Sequence, residues 1–154
     1  MRKHFLDLLV CPECAGPLEL DCRAEDAHAV LEGELRCSNC ERVFPIRNRI
    51  PRFIEGRTYA GSFGWQWNRF HKLQRDSYNG TTLVRDTILK RSGWRPGDLR
   101  DKRVLECGCG SGNDTEILAG MAGTLVSADI SEAVDSIPPE LPENVLVKIG
   151  RAHV

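Results

Sequence analysis

The chain has 154 residues, 41% of them hydrophobic and 28% charged, about one average domain and too apolar for wholesale disorder. Its 21 Lys and Arg against 22 Asp and Glu give a formal net charge of −1, which exerts no overall pull on nucleic acid or an anionic membrane. No apolar run approaches the roughly 20 residues of a bilayer span, and the basic-then-apolar start is broken by Asp7 with no small-residue cleavage site after it, so a cytoplasmic location is expected.

The charge is unevenly spread. Residues 1–56 carry a net −2, residues 57–103 a net +7 and residues 104–154 a net −6. That layout predicts three stretches, at 1–55, 56–100 and 101–154, rather than one uniform domain. The basic middle reads either as a solvated linker that pairs with its acidic neighbours or as a contact for nucleic acid.

The first stretch holds Cys11-Pro-Glu-Cys14 and Cys37-Ser-Asn-Cys40, with 22 residues between the pairs. A C-x-x-C turn brings two thiolates onto one ion, and two such turns complete a tetrahedron around Zn2+, with an iron–sulfur or mononuclear iron centre as the minor alternative. With all four positions filled by protein, the predicted zinc is structural. Leu18-Glu-Leu20, Glu34-Leu-Arg36 and Arg42–Ile46 alternate as half-buried strands do, and Pro45 predicts an edge strand. Some fifty residues bury little surface, so metal is expected to supply much of this unit's stability. Cys22 reads as a bystander. Phe5–Cys14, Glu34–Cys40, Val43–Ile46 and Arg49–Phe53 together resemble the Trm112-like zinc ribbon. That family includes small partner subunits that activate methyltransferases, and it also occurs fused to the N-terminus of methyltransferases.

The middle stretch opens with the linker-like Glu55–Ser62 and continues into Phe63-Gly-Trp-Gln-Trp-Asn-Arg-Phe70, which holds four of the ten aromatic residues. Interleaved with Arg69, Lys72 and Arg75, these aromatics suit either a base-stacking platform or an anchor between domains. Thr81 to Ser92 predicts a helix with Leu83, Val84, Thr87 and Ile88 on one face. Gly93 ends it and Pro96-Gly97 turns the chain.

The last stretch carries the most chemistry. A short strand at Val104-Leu105 runs into Glu106-Cys-Gly108-Cys-Gly110-Ser-Gly112, and a helix follows from Asn113 or Asp114 through Ile117, Leu118 and Met121. Alternate glycines let the backbone bend and approach a ligand closely. A dinucleotide fingerprint would place its third glycine at position 113, which is Asn. That counts against a nicotinamide-dependent oxidoreductase. Glu106 and Asp114 flank the loop and favour a cationic ligand over a pyrophosphate. Thr124–Asp129 reads as a second strand that ends in an acid, 21 residues after Gly108, where a carboxylate can accept both ribose hydroxyls.

Glu106 with its glycine loop resembles the first motif of class I S-adenosylmethionine-dependent methyltransferases, and Asp129-Ile130-Ser131 the second. The resemblance implies an α/β fold, a small zinc ribbon followed by the N-terminal half of a Rossmann-like sheet. It places Gly108, Gly110 and Gly112 under the cofactor, Glu106 near its amino-acid end, Asp129 on the ribose and Ile130 against the adenine. Ser62–Phe70 resembles the segment before the first motif in zinc-ribbon-fused methyltransferases, which makes Trp65, Gln66 and Trp67 candidate lid residues. No catalytic residue is assigned, since methyl transfer often needs no dedicated base. His71 and His153 enter only as histidines able to shuttle a proton.

Departures from the pattern are plain. After the third apolar run, Val145–Ile149, the sequence has five residues left, so one half of a doubly wound sheet is expected. Arg151 follows Gly150 where the family tends to place an acid. A fragment, a half completed by another chain, and a degenerate protein all fit. Self-association or a complementing chain at the open sheet edge is expected, and the methyl acceptor is not readable. The rival from another class is a non-catalytic ribbon that docks a partner methyltransferase or a nucleic acid.

Overall fold

The structure is a computed structural model that describes residues 1–54 and 75–151. Trp65, Gln66, Trp67, His71 and His153 lie outside the described residues.

A 3-10 helix at Lys3–Leu8 leads into a four-stranded antiparallel sheet, β1 (Leu18–Glu25), β2 (Val30–Cys37), β3 (Val43–Arg47) and β4 (Ile50–Pro51), in that spatial order. The strands begin or end at the cysteine turns, where the alternating sequence gives way to Pro, Gly and Asn. β3 is not the edge strand that Pro45 predicted, because it lies between β2 and β4. The Pro45 carbonyl accepts from the Arg52 N–H at 2.9 Å, so the proline's polar groups face the β4 side. Its missing N–H falls opposite Arg52, one residue past the end of β4, so only the reciprocal bond to the Arg52 carbonyl cannot form.

Beyond the undescribed stretch come α1 (Asp76–Asn79) and α2 (Leu83–Ser92). Gly93, at φ 72°, closes α2 with its N–H on the Leu89 carbonyl, as the sequence predicts. Half of the predicted apolar face holds: Val84 and Ile88 are half-buried, joined by Leu89, whereas Leu83 is 71% exposed. Ile88 rests on the neighbouring core while Leu83 and Thr87 point away from it.

The remainder alternates strand and helix: β5 (Arg103–Cys107), α3 (Asn113–Ala119), β6 (Thr124–Asp129), a 3-10 helix at Glu132–Ser136, and β7 (Val145–Ile149). α3 ends at Ala119, two residues short of the predicted Met121. The three strands form a parallel sheet in the order β5-β6-β7, with Leu105 opposite Val126 and Val126 opposite Leu146. Parity divides its faces. Val104, Leu125, Val145 and Val147 pack with Leu118, Ala119 and Val134 from the helices. Val126 and Leu146 turn the other way, onto the ribbon's core of Phe5, Val30, Leu35 and Ile46.

The two regions meet at β7. Arg52 forms a parallel bridge to Ile149, and the Phe53 N–H reaches the Ile149 carbonyl at 2.8 Å. Each apolar core borrows a residue across this seam: Leu146 of β7 sits in the ribbon's cluster, and Ile50 of β4 in the sheet's. Arg49 and Arg2 bind carbonyls of the loop before β7, at Pro139, Pro142 and Leu141, and Arg52 pairs with Asp135. The edge expected to stand open is therefore β5. Every β7 residue is buried, whereas Leu105 of β5 is 48% exposed.

Candidate functional site

The four predicted ligands come together. The sulfurs of Cys11, Cys14, Cys37 and Cys40 all lie within 4.8 Å of one another, with Cys11 to Cys40 at 3.6 Å and Cys14 to Cys37 at 3.5 Å. Zn–S bonds of about 2.3 Å give a tetrahedron edge of about 3.8 Å, so the donor set fits zinc. The two knuckles fold alike. Ala15 N–H reaches the Cys11 carbonyl and Glu41 N–H the Cys37 carbonyl, while Cys11 and Cys37 donate to the Gly16 and Arg42 carbonyls. Ala15 and Glu41 adopt matching positive φ of 55° and 59°. The Asn39 N–H points at Cys37 Sγ, 3.4 Å away. Four thiolates leave no open coordination position, which suits a structural ion rather than a catalytic one.

The second constellation lies at the C-terminal ends of β5 and β6. Gly108 and Cys109 both donate to the Ala128 carbonyl, which ties the loop's start to β6. Gly108, Gly110 and Gly112 have φ of 80°, 52° and 81°, all in the left-handed region where a side chain is strained. Their surroundings differ. A Cβ on Gly112 would strike the Ile137 side chain at 2.9 Å, whereas one on Gly108 or Gly110 would meet open space. Gly112 is thus needed for packing, and the first two leave a cradle that a side chain would fill.

Glu106 is held by two residues that the sequence reading did not single out. Its Oε2 accepts from Thr115 Oγ1 at 2.6 Å and from Ser127 Oγ at 2.7 Å. Ser127 is a polar residue at an inward position of an apolar strand, and that was the available signal. Burial pushes the Glu106 carboxyl above its usual range, the two hydroxyls oppose the rise, and the charges of Asp114 and Asp129 add to it. A cation beside Glu106 would reverse this.

Asp129 sits at the end of β6 with Oδ2 on the Gly110 N–H and Oδ1 on the Ser131 N–H and Oγ, all at 2.7–2.8 Å. The acid therefore shapes the glycine loop itself. A carboxylate has about four lone-pair sites, so with three filled, one acceptor site remains for a further donor. Ile130 follows, half buried. Burial also pushes the Cys109 thiol up, whereas Cys107 is exposed.

Arg75 departs from the surface role that the aromatic stretch suggested for it. It is only 9% exposed, and its Nη2 donates to the Ser111 carbonyl within the glycine loop at 2.6 Å. A cavity of about 500 Å³ also opens between the ribbon and the sheet, beside Met1, Arg49, Ile50, Ile137, Leu141 and Val147. None of the predicted site residues lines it. Among the described residues no helix is long and apolar enough to cross a membrane.

Residues 2–48 match the family model described as Trm112p-like protein. A UPF0434 protein of Dechloromonas aromatica (strain RCB) is 44% identical over 55 residues, 36% of this chain and 81% of that protein. Another from Methylibium petroleiphilum is 40% identical over 60 residues, covering 39% and 80%. A magnesium-protoporphyrin O-methyltransferase of Rhodobacter capsulatus is 32% identical over 117 residues, 68% of this chain and 49% of that protein. The chain spans about half the length of this last relative, and the match exceeds what residues 2–48 can hold. The chain thus includes a methyltransferase-like region, and through its N-terminal fifty or so residues it belongs to the Trm112p-like family.

Proposed function

We propose that this chain is the cofactor-binding half of an S-adenosylmethionine-dependent methyltransferase, with a Trm112-like ribbon built onto its sheet. The observation that carries the reading is the loop. Three glycines at positive φ stand between Glu106 and Asp129, and among the described residues the cradle at Gly108 and Gly110 is free of side chains. The proposed order is ribbon at 1–55, connector at 56–100 and a Rossmann-like half-domain at 101–154.

S-adenosylmethionine, when bound, supplies an electrophilic sulfonium methyl for in-line transfer to a nucleophile. Glu106, already aimed by Thr115 and Ser127, balances the positive charge at the amino-acid end. Asp129 uses its remaining lone pair for a ribose hydroxyl, and its bond from Gly110 couples ribose contact to loop shape. Gly108 and Gly110 allow close backbone approach, and Ile130 offers an apolar surface to the adenine. Catalysis of this kind rests on positioning and desolvation, so no proton-transfer residue is assigned. The ribbon's role is to hold β7, and with it the Gly150 N–H that donates to the Asp129 carbonyl at 2.8 Å.

Calorimetric titration of S-adenosylhomocysteine into the zinc-loaded chain tests this reading. Saturable one-to-one binding, lost in Asp129→Ala, is expected. A folded chain that takes up no ligand would overturn it. The second reading, a non-catalytic module that docks a partner, is favoured by the exposed Leu105 on β5. It predicts association that Leu105→Lys weakens while cofactor titration stays flat.

A further inference from the structure

Glu106, Asp114 and Asp129 make the glycine loop acidic, which suits a sulfonium and an ammonium but leaves a carboxylate without a counter-charge. Arg75 stands at the same loop. Its Nη2 holds the Ser111 carbonyl, and its Nε is buried with no hydrogen-bond partner. Among the described residues, no carboxylate lies within ion-pair distance of it. Ser111, 2% exposed, also has a buried hydroxyl without a partner. A buried guanidinium with an unused N–H is costly unless an anion or acceptor meets it. Glu116 lies near enough to favour the charged form, yet its own buried Oε2 has no partner either.

We infer that Arg75 is the anchor for the carboxylate of the cofactor's amino-acid end, with the Ser111 hydroxyl beside it as a second donor. This rests on the cofactor reading above. An arginine suits the role because its planar fork can keep one N–H on the loop carbonyl while others face the carboxylate. Burial pulls the Arg75 pKa down, in keeping with a cation that lacks a close counter-ion. Loop shape and carboxylate recognition would then share one side chain.

Two ligands separate anchoring from loop support. S-adenosylhomocysteine carries the carboxylate, and 5′-methylthioadenosine has the same nucleoside thioether without the amino acid. In the full zinc-loaded chain, Arg75→Gln is expected to weaken S-adenosylhomocysteine roughly 10- to 100-fold, the range of a charged hydrogen bond. Its affinity for 5′-methylthioadenosine should stay within about twofold. Arg75→Lys, which keeps the charge and covers the case in which Arg75→Gln fails to fold, should lose less on S-adenosylhomocysteine and nothing on 5′-methylthioadenosine. Equal losses on both ligands would make Arg75 a loop support and overturn the assignment. So would unchanged S-adenosylhomocysteine affinity, with the cofactor reading left intact. A wild-type chain that binds neither ligand would remove the cofactor site and this assignment with it.

Discussion

Residues 1–54 and 75–151 each contain too few residues to bury a large core, and they are held together by different means. The ribbon converges on four sulfurs within 4.8 Å of one another, so one ion would tie the turn before β1 to the turn between β2 and β3. The second region has no such tie. It relies on Leu118, Leu125, Val134, Val145 and Val147 packed between three strands and short helices, and its first strand remains half exposed. The contrast teaches where function is built. The ribbon's polar chemistry is spent on folding, whereas the second region's gathers at a loop where Asp129 holds the Gly110 N–H and two hydroxyls hold Glu106.

The largest expected effect comes from removing the metal. Structural zinc sites in small domains contribute on the order of 10 kcal/mol of apparent binding free energy. Chelation, or Cys37→Ser, should therefore unfold the ribbon and expose Leu146. Circular dichroism with metal analysis checks it: one zinc per chain, and antiparallel strand signal lost on its removal. A ribbon that stays folded without metal would erase the contrast.

Next is the seam. Phe53 lies against Phe44 at 5.1 Å and under Lys148 at 5.5 Å, and Phe53→Ala should cost about 3 kcal/mol. The sharper expectation is that chemical denaturation then splits into two transitions, since the bridge to β7 carries both regions.

Within the glycine loop, Gly112→Ala should cost about 2 kcal/mol, because strain at φ 81° adds to the clash with Ile137. Gly110→Ala meets open space and should cost about 1 kcal/mol, yet abolish binding of S-adenosylhomocysteine. Melting temperatures and titrations on the same samples separate the two. If both variants lose stability and binding in proportion, the loop has no division of labour.

A smaller effect follows from Glu106. Its folded pKa is raised by burial, so the native state holds the proton longer than the unfolded one. Its contribution is fully present in acid and is lost as pH climbs from the ordinary carboxylate value of about 4.3 through the raised one. Glu106→Gln keeps an acceptor for Thr115 and Ser127. It should melt at or above the wild-type temperature at pH 7, lose that advantage near pH 4, and fail to bind S-adenosylhomocysteine. The smallest effect is Arg52→Lys beside Asp135, worth at most about 1 kcal/mol as a partly exposed pair.

Sequence made the ribbon readable because metal ligands announce themselves by spacing alone, and both knuckles stand where Cys11, Cys14, Cys37 and Cys40 place them. Strands β6 and β7 were legible to the residue, as apolar runs bounded by Gly, Asp and Pro. Pro45 misled because its rule concerns which side the missing N–H faces, and that depends on β4, a strand of two residues. α2 misled because Leu83 fits the helical period but stays 71% exposed, with no described residue covering it. Arg75 could not be found from composition: an arginine in a basic stretch looks solvated, and only the fold carries it 36 residues along the chain to Ser111.

The β4–β7 bridge has one more consequence. A free ribbon meeting a free sheet would face an association cost of several kcal/mol or more in lost translation and rotation, set against the apolar contacts of Leu146 and Ile50, one bridge and a few arginine contacts. Carried on the same polypeptide, the two surfaces meet at an effective concentration in the millimolar range, which lowers the affinity that the seam itself must supply. Cutting the chain between them should therefore separate the halves at micromolar concentration, even though every residue of the seam is intact.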